Sequence, residues 1–369
     1  MRPLAALPAF ALVLALAAPA RAFVRSETLD GGHDLWWPTR SVPYVIQEDC
    51  AVRPPPSPVP LPPAVAAAGE DEATYQAMCH AAVERSFRSW QDVGDVDAGG
   101  AGCTDLELPF AGDVAQREVG YDPTDPAANT NLVLFQPILC EAVVPQSDPC
   151  WQDDSCDGPY GCFSHGSDVI ALTTTTYQPS NGMLLDADIE VNDAPQSQGG
   201  FDFSAETGAP IAGTHDVQNT ITHEAGHFIG LAHNCLVPGD TGEPAGAPAC
   251  TPALAQGVMF ADETTPEETT KRTLKPDDVA GICHIYPRGI PTVLVNLEDE
   301  AGTSPVQLHG RPSCATAPGP GALLALLAAL VFGWRARGGA RGRGDAQPAL
   351  GVLTAWRPRR SRGRAAGRR

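Results

Sequence analysis

Two kinds of segment are missing from this 369-residue chain. No two cysteines stand in C-x-x-C spacing, which removes the knuckles of a cysteine-based zinc site. No apolar run reaches the roughly 20 residues of a spanning helix; the two candidates, residues 4–18 and 322–334, both fall short. Basic residues are also scarce where most of the chain lies. Of the 24 basic and 44 acidic groups, Arg2, Arg21, eleven arginines beyond Cys314 and a single acid, Asp345, belong to the two ends, so residues 23–313 hold 11 basic against 43 acidic groups, a net of −32. Such an acidic body argues against nucleic acid as a partner. It suits a soluble extracellular protein, its carboxylates serving either solvation or bound calcium.

The first 22 residues read as a secretory signal peptide. Arg2 is followed by the apolar run and then by Ala20-Arg21-Ala22, an A-x-A cleavage triplet that would leave Phe23 first. Cysteine usage agrees with export. Of 11 cysteines, ten fall between Cys50 and Cys283 and are expected to form five disulfides, with Cys235 and Cys250 the favoured single pairing. About 270 residues remain, enough for one large domain with a real core.

Along that body, residues 35–38 and 41–46 read as a first strand, and residues 54–63 as a proline-rich insertion without regular structure. Apolar Tyr75, Met78, Cys79, Ala82, Val83, Phe87 and Trp90 recur at helical steps over residues 71–93. Residues 105–110 and 131–135 read as further strands. The cysteine- and aspartate-rich stretch 140–162 reads as a disulfide-pinned irregular loop. A threonine-rich strand at 169–177 turns at 179–182 and returns as 183–192. That return strand sets Asp186, Asp188 and Glu190 on one face, as calcium ligands or as the wet side of a hairpin. His165 and His215 have no partner at helical or hairpin spacing and read as ordinary residues.

Residues 223–233 read HEAGHFIGLAH. On a helix begun near Thr214 or Asp216, His223 and His227 share a face one turn apart and can grip one zinc, with Glu224 beside the water to be activated. Gly230 tolerates the left-handed conformation that ends such a helix, so His233 can return as a third ligand. Three protein ligands leave one position open, which marks a catalytic site. A bare HExxH could be a solvated helix face; the added glycine and histidine make that far less tenable. Met259 follows His233 by 26 residues in the apolar run Gly257-Val258-Met259-Phe260. A closing helix is expected near residues 274–282, begun by Pro276.

The H-E-x-x-H-x-x-G-x-x-H pattern resembles the zinc signature of the metzincin metallopeptidases. The phrases at 222–227, 258–260 and 274–282 are similar to its matrixin branch. The resemblance covers about residues 35–287 and is sharpest beyond Thr214. It implies an α+β fold: a twisted mixed sheet packed on a long helix and an active-site helix, with a smaller C-terminal subdomain after the third histidine. It further implies zinc on His223, His227 and His233, Glu224 as general base, and Met259 as the methionine turn. Three departures stand out. No cysteine-switch propeptide is recognisable, the histidines of a second, structural zinc are not evident, and no tyrosine stands two residues after Met259, which argues against astacin.

Residues 291–313 read as a linker, 314–335 as a Cys314-led apolar segment, and 336–369 as a basic tail. Cysteine, short apolar run and arginines resemble the tripartite C-terminal sorting signals of myxobacterial surface proteins, although the chain runs some 30 residues further. A plain tail anchor is the alternative. The expectation is an exported, surface-associated monomeric zinc endopeptidase acting on proteins or peptides. A non-catalytic adhesion module on the same fold is the competing reading.

Overall fold

The computed structural model describes residues 23–29, 32–54, 60–93, 102–153, 156–237, 247–263, 265–298 and 349–358. The expected signal peptide, Cys314 and the rest of the segment read as a sorting signal lie outside the described residues. The fold is mixed α+β. Seven strands form one mixed sheet: β1 (Tyr44–Gln47), β2 (Phe110–Val114), β3 (Leu132–Gln136), β4 (Ala171–Tyr177), β5 (Leu184–Asn192), β6 (Asp262–Glu263) and β7 (Ala349–Pro358), in the spatial order β6-β7-β4-β5-β3-β1-β2. Strands β2, β1, β3 and β5 run parallel, while β4 is antiparallel to β5 and β7 antiparallel to β4.

Helix α1 (Glu72–Gln91) starts where Asp71 accepts the amide hydrogen of Thr74, so one N-terminal donor is satisfied by a side chain. Its stripe Tyr75, Cys79, Ala82, Val83, Phe87 and Trp90 is fully buried. Phe87 stacks on Tyr44 of β1 at 3.7 Å and meets Phe228 edge-on at 5.2 Å, tying sheet, α1 and α2 (Val217–Phe228) into one core. Each such aromatic contributes about 1.5–3 kcal/mol by leaving water. Tertiary partners also complete the polar atoms of α2: the Trp90 indole donates to Thr222 O, the Trp37 indole to Phe228 O and the Tyr286 hydroxyl to Ile229 O. The last two carbonyls stand at the helix's C-terminal end, where no intrahelical donor is left for them.

All ten cysteines of the body pair: Cys50–Cys79, Cys103–Cys283, Cys140–Cys162, Cys150–Cys156 and Cys235–Cys250. The first ties the end of β1 to α1. The second fastens α3 (Pro276–Ile285), which begins on Pro276 as expected, to the segment before β2.

Several sequence expectations shift. The strand read at 105–110 lies at Phe110–Val114, residue 107 making only a bridge to Ser41. Pro63 opens a short helix, Pro63–Ala68, because proline is well placed at a first helical position. The stretch 140–162 carries three one-turn helices, Cys140–Val143, Cys150–Asp153 and Asp157–Tyr160, which two disulfides hold where propensity alone does not. Helix Thr292–Glu298 occupies the start of the expected linker. Among the described residues, no helix is long and apolar enough to cross a membrane.

Candidate metal centre

Helix α2 is capped by Asp216, which accepts from Asn219 N and is gripped by the Arg272 guanidinium. From this start, eleven of its twelve residues are buried, so the histidines face protein on all sides. His223 Nδ1 lies 2.6 Å from Val258 O and His227 Nδ1 lies 2.8 Å from Leu231 O. A carbonyl only accepts, so both Nδ1 atoms carry hydrogen and both Nε2 atoms present lone pairs. Gly230 sits at φ +95° with the Leu35 carbonyl against it, leaving no room for a Cβ. The chain then reverses into Leu231–Ala232, paired antiparallel with Val24–Arg25, and delivers His233 to the other two. The three rings lie 4.9–5.2 Å apart, centroid to centroid, and one nitrogen from each falls within 4.8 Å of the others.

The donor set fits zinc. Three buried imidazoles aim nitrogens at one point, and His227 Nε2 finds no hydrogen-bond partner among protein atoms. Burial and neighbouring positive charge hold His223 and His227 well below the usual histidine range, which keeps them in the neutral form that ligates metal. The Glu224 carboxyl is fully buried. Burial pushes it up to about 8, while the Thr173 hydroxyl, donating to its Oε2 at 2.7 Å, and the charge of Lys271 pull it back. A cation on the histidines would pull in the same direction as Lys271.

Met259 lies beneath the cluster against Gly226, and the loop that carries it is fixed by Asp278, whose carboxylate takes the amides of Val258, Met259 and Lys275. Lys271, itself buried, donates through Nζ to Phe260 O and Asp262 O and so holds the chain beyond Met259 against α2. Sequence reading missed the contributions of Thr173 and Lys271. Thr173 was visible only as a strand residue, and nothing in the spacing of Lys271 marks it.

The three acidic residues of β5 are neighbours, as the strand alternation implies, but they lie inside the fold. None is wet: Asp186, Asp188 and Glu190 are 1–2 % exposed. The carboxylate of Asp188 takes the amides of Gly120 and Leu132. Glu190 instead accepts from Gln136 and lies 3.4 Å from His165; with Asp157 these form the second gathering of three possible ligand atoms among the described residues. His165 is therefore no isolated surface residue. Its partners come from β5 and from the disulfide-pinned excursion, separations that no local pattern reveals. His215 packs edge-on against Phe201.

No family model matches this chain, and no curated protein is detectably similar to it.

Proposed function

We propose that this protein is an exported zinc endopeptidase of matrixin-like, metzincin type. The observation that carries the reading is the convergence of His223, His227 and His233 with the Glu224 carboxylate held beside them. Further support comes from the order of elements, in which long helix, threonine-rich strand, motif helix, Met259 turn and closing helix follow one another as the resemblance implies. Zinc held by the three imidazoles would polarise a scissile carbonyl and lower the pKa of a water. Glu224 then accepts a proton from the attacking water at its carboxylate and returns it to the departing amine nitrogen as the C–N bond breaks. Thr173 orients that carboxylate. The acidic, disulfide-bonded body accords with export through residues 1–22 and with surface attachment through residues 314–335.

The adhesion alternative needs a lost ligand or a lost glutamate, and this chain has lost neither. Glu224→Ala with elemental analysis separates the two. The variant should keep one zinc per chain at the histidines and cleave casein or a peptide library about a thousandfold more slowly. Equal cleavage by variant and wild type refutes the assignment of Glu224. Absence of chelator-sensitive cleavage from the wild type on every library favours the adhesion module.

A further inference from the structure

We propose that the outer face of α1 is one wall of a peptide-binding groove, remote from the histidines, which takes an extended segment carrying apolar residues at one end and a carboxylate at Arg85. Two open cavities meet at that arginine. The first, of about 690 Å³, lies over Ala77, Met78 and Ala81 and is bounded across from the helix by Ala205 and Thr207. The second, of about 450 Å³, continues past Arg88 and Asp92 and is walled by Gln218 of α2 and by Leu274. Arg85 borders both, and none of the three histidines borders either.

The two cavities form one groove because each wall is continuous. Residues 77, 81, 85, 88 and 92 recur at three- and four-residue steps, so they share one face of α1 and its C-terminal cap. Opposite them, the Arg272 guanidinium donates to Glu206 O, Thr207 O and Gly208 O while it grips Asp216. It thereby joins the segment beside the first cavity to the segment beside the second. At about 1.5 Å per helical residue, the face from Ala73 to Asp92 runs roughly 28 Å. That is the reach of about eight residues of extended chain.

Arg85 gives the groove its chemistry. Its Nε donates to Gln218 Oε1 at 2.9 Å, which holds the guanidinium across the junction. Its Nη2 is shielded from solvent and has no hydrogen-bond partner among the described residues. Burial and the positive charge of Arg272 hold this guanidinium below the usual arginine range, and the carboxylates of Asp216 and Glu84 offset them only in part. An anion beside Arg85 would supply what is missing. The neighbouring arginines are already engaged: Arg272 with Asp216 and three carbonyls, Arg88 with Glu84 at 3.7 Å. Arg85 is therefore the one of the three with a donor left to give. The acidic body does not forbid a carboxylate here, since its field is screened beyond about 8 Å in physiological salt. Ser89, Gln218 and Thr273 line the polar half with hydrogen-bonding side chains, which a peptide backbone can use and a hydrocarbon chain cannot.

The inference does not rest on the peptidase reading. Its test uses the full chain with Glu224→Gln, so that no peptide is cut, and two sets of N-acetylated octapeptide amides. Both sets carry alanine, valine or leucine at four consecutive positions, then the test residue, then serine or glycine, and each is made in both orders. The test residue is glutamate in one set and glutamine in the other. Retention on the protein, read by mass spectrometry, should favour the glutamate set about tenfold, as a hydrogen bond to a charged group suggests. Arg85→Gln should abolish that preference. Ala77→Trp with Ala81→Trp fills the apolar half from a solvent-facing side of the helix and should lower retention of both sets about tenfold, with the melting temperature unchanged. No preference in the parent, a preference that survives Arg85→Gln, or retention indifferent to the tryptophans overturns the proposal. A concentration-dependent dimer that the tryptophans dissociate makes a second copy the occupant and overturns the peptide. Retention is read without turnover, so each of these failures leaves the peptidase reading untouched.

Discussion

The sulfur of Met259 rests against the backbone of Gly226, inside the volume that a Cβ at that position would need. The same hypothetical Cβ would press on the Trp90 indole at 2.9 Å. Gly226 lies between the first two histidines of the motif, so the motif's second variable position is fixed here by packing against the methionine turn. Replacing it by alanine must push Met259 or the helix aside. Gly226→Ala is expected to cost about 1–3 kcal/mol, the usual penalty of overpacking a filled core, and to weaken zinc retention because Val258 O, the partner of His223, moves with the loop. Thermal melts with and without zinc check this; a variant that melts with wild type and keeps its metal refutes the packing account.

Thr173 offers a finer probe of Glu224. Its hydroxyl donates to the carboxylate and so favours the ionised form, the form the proposed base needs. Thr173→Val keeps the volume and removes the donor, which raises the Glu224 pKa. The acidic limb of the kcat/KM profile should move to higher pH by about one unit, as loss of a charged hydrogen bond suggests, with zinc content unchanged. An unmoved limb with lowered kcat would assign Thr173 to packing alone.

These two residues show what was legible in the sequence and what was not. His223, Glu224 and His227 sit within five residues of one helix, so helical geometry places them, and α1 is legible for the same reason; His233 is placed by the turn at Gly230 that the motif's spacing marks. Cys235–Cys250 is legible because the two cysteines bracket one loop after the third histidine. By contrast, Thr173, Lys271, His165 and the burial of Asp188 depend on contacts between distant segments, and no period or spacing encodes those. The strand expected at 105–110 slipped because its apolar residues, Leu106 and Leu108, pack into the core from an irregular approach rather than from the ladder itself.

The buried carboxyls of β5 should leave a pH signature. Burial raises Asp186 to about 7, and burial together with the charge of Asp186 raises Asp188 well above the carboxylate range. Raised folded-state values mean that the native protein binds protons more tightly than the unfolded chain. Their stabilising contribution is then complete below about pH 4 and is lost as pH rises through about 7. Asp186→Asn, which cannot ionise, should flatten the fall in urea midpoint between pH 4 and pH 8. A wild-type midpoint that rises steadily across the same range in this background comparison would show that the pair is ionised and held by other means.

Arg53 links the proline-rich insertion to the helix that carries the motif. Its guanidinium is completely buried and donates to Asp193 O, to the Asp193 and Asp202 carboxylates and to Phe201 O. Phe203 and Ser204 in turn pair with His215 and Asp216, the entry to α2. Arg53→Ala leaves Asp193, 1 % exposed, without its counter-charge, and breaking a buried pair from one side costs about 3–5 kcal/mol. Arg53→Met with Asp193→Asn and Asp202→Asn removes charge from both sides and should recover a large part of that loss, since a buried ion pair is often replaceable by neutral groups of like volume. Urea unfolding of the two proteins decides the matter. If the single variant loses less than about 1 kcal/mol, the bridge is not what anchors the approach to α2, and the Tyr75 hydroxyl on Phe203 O must carry that task instead.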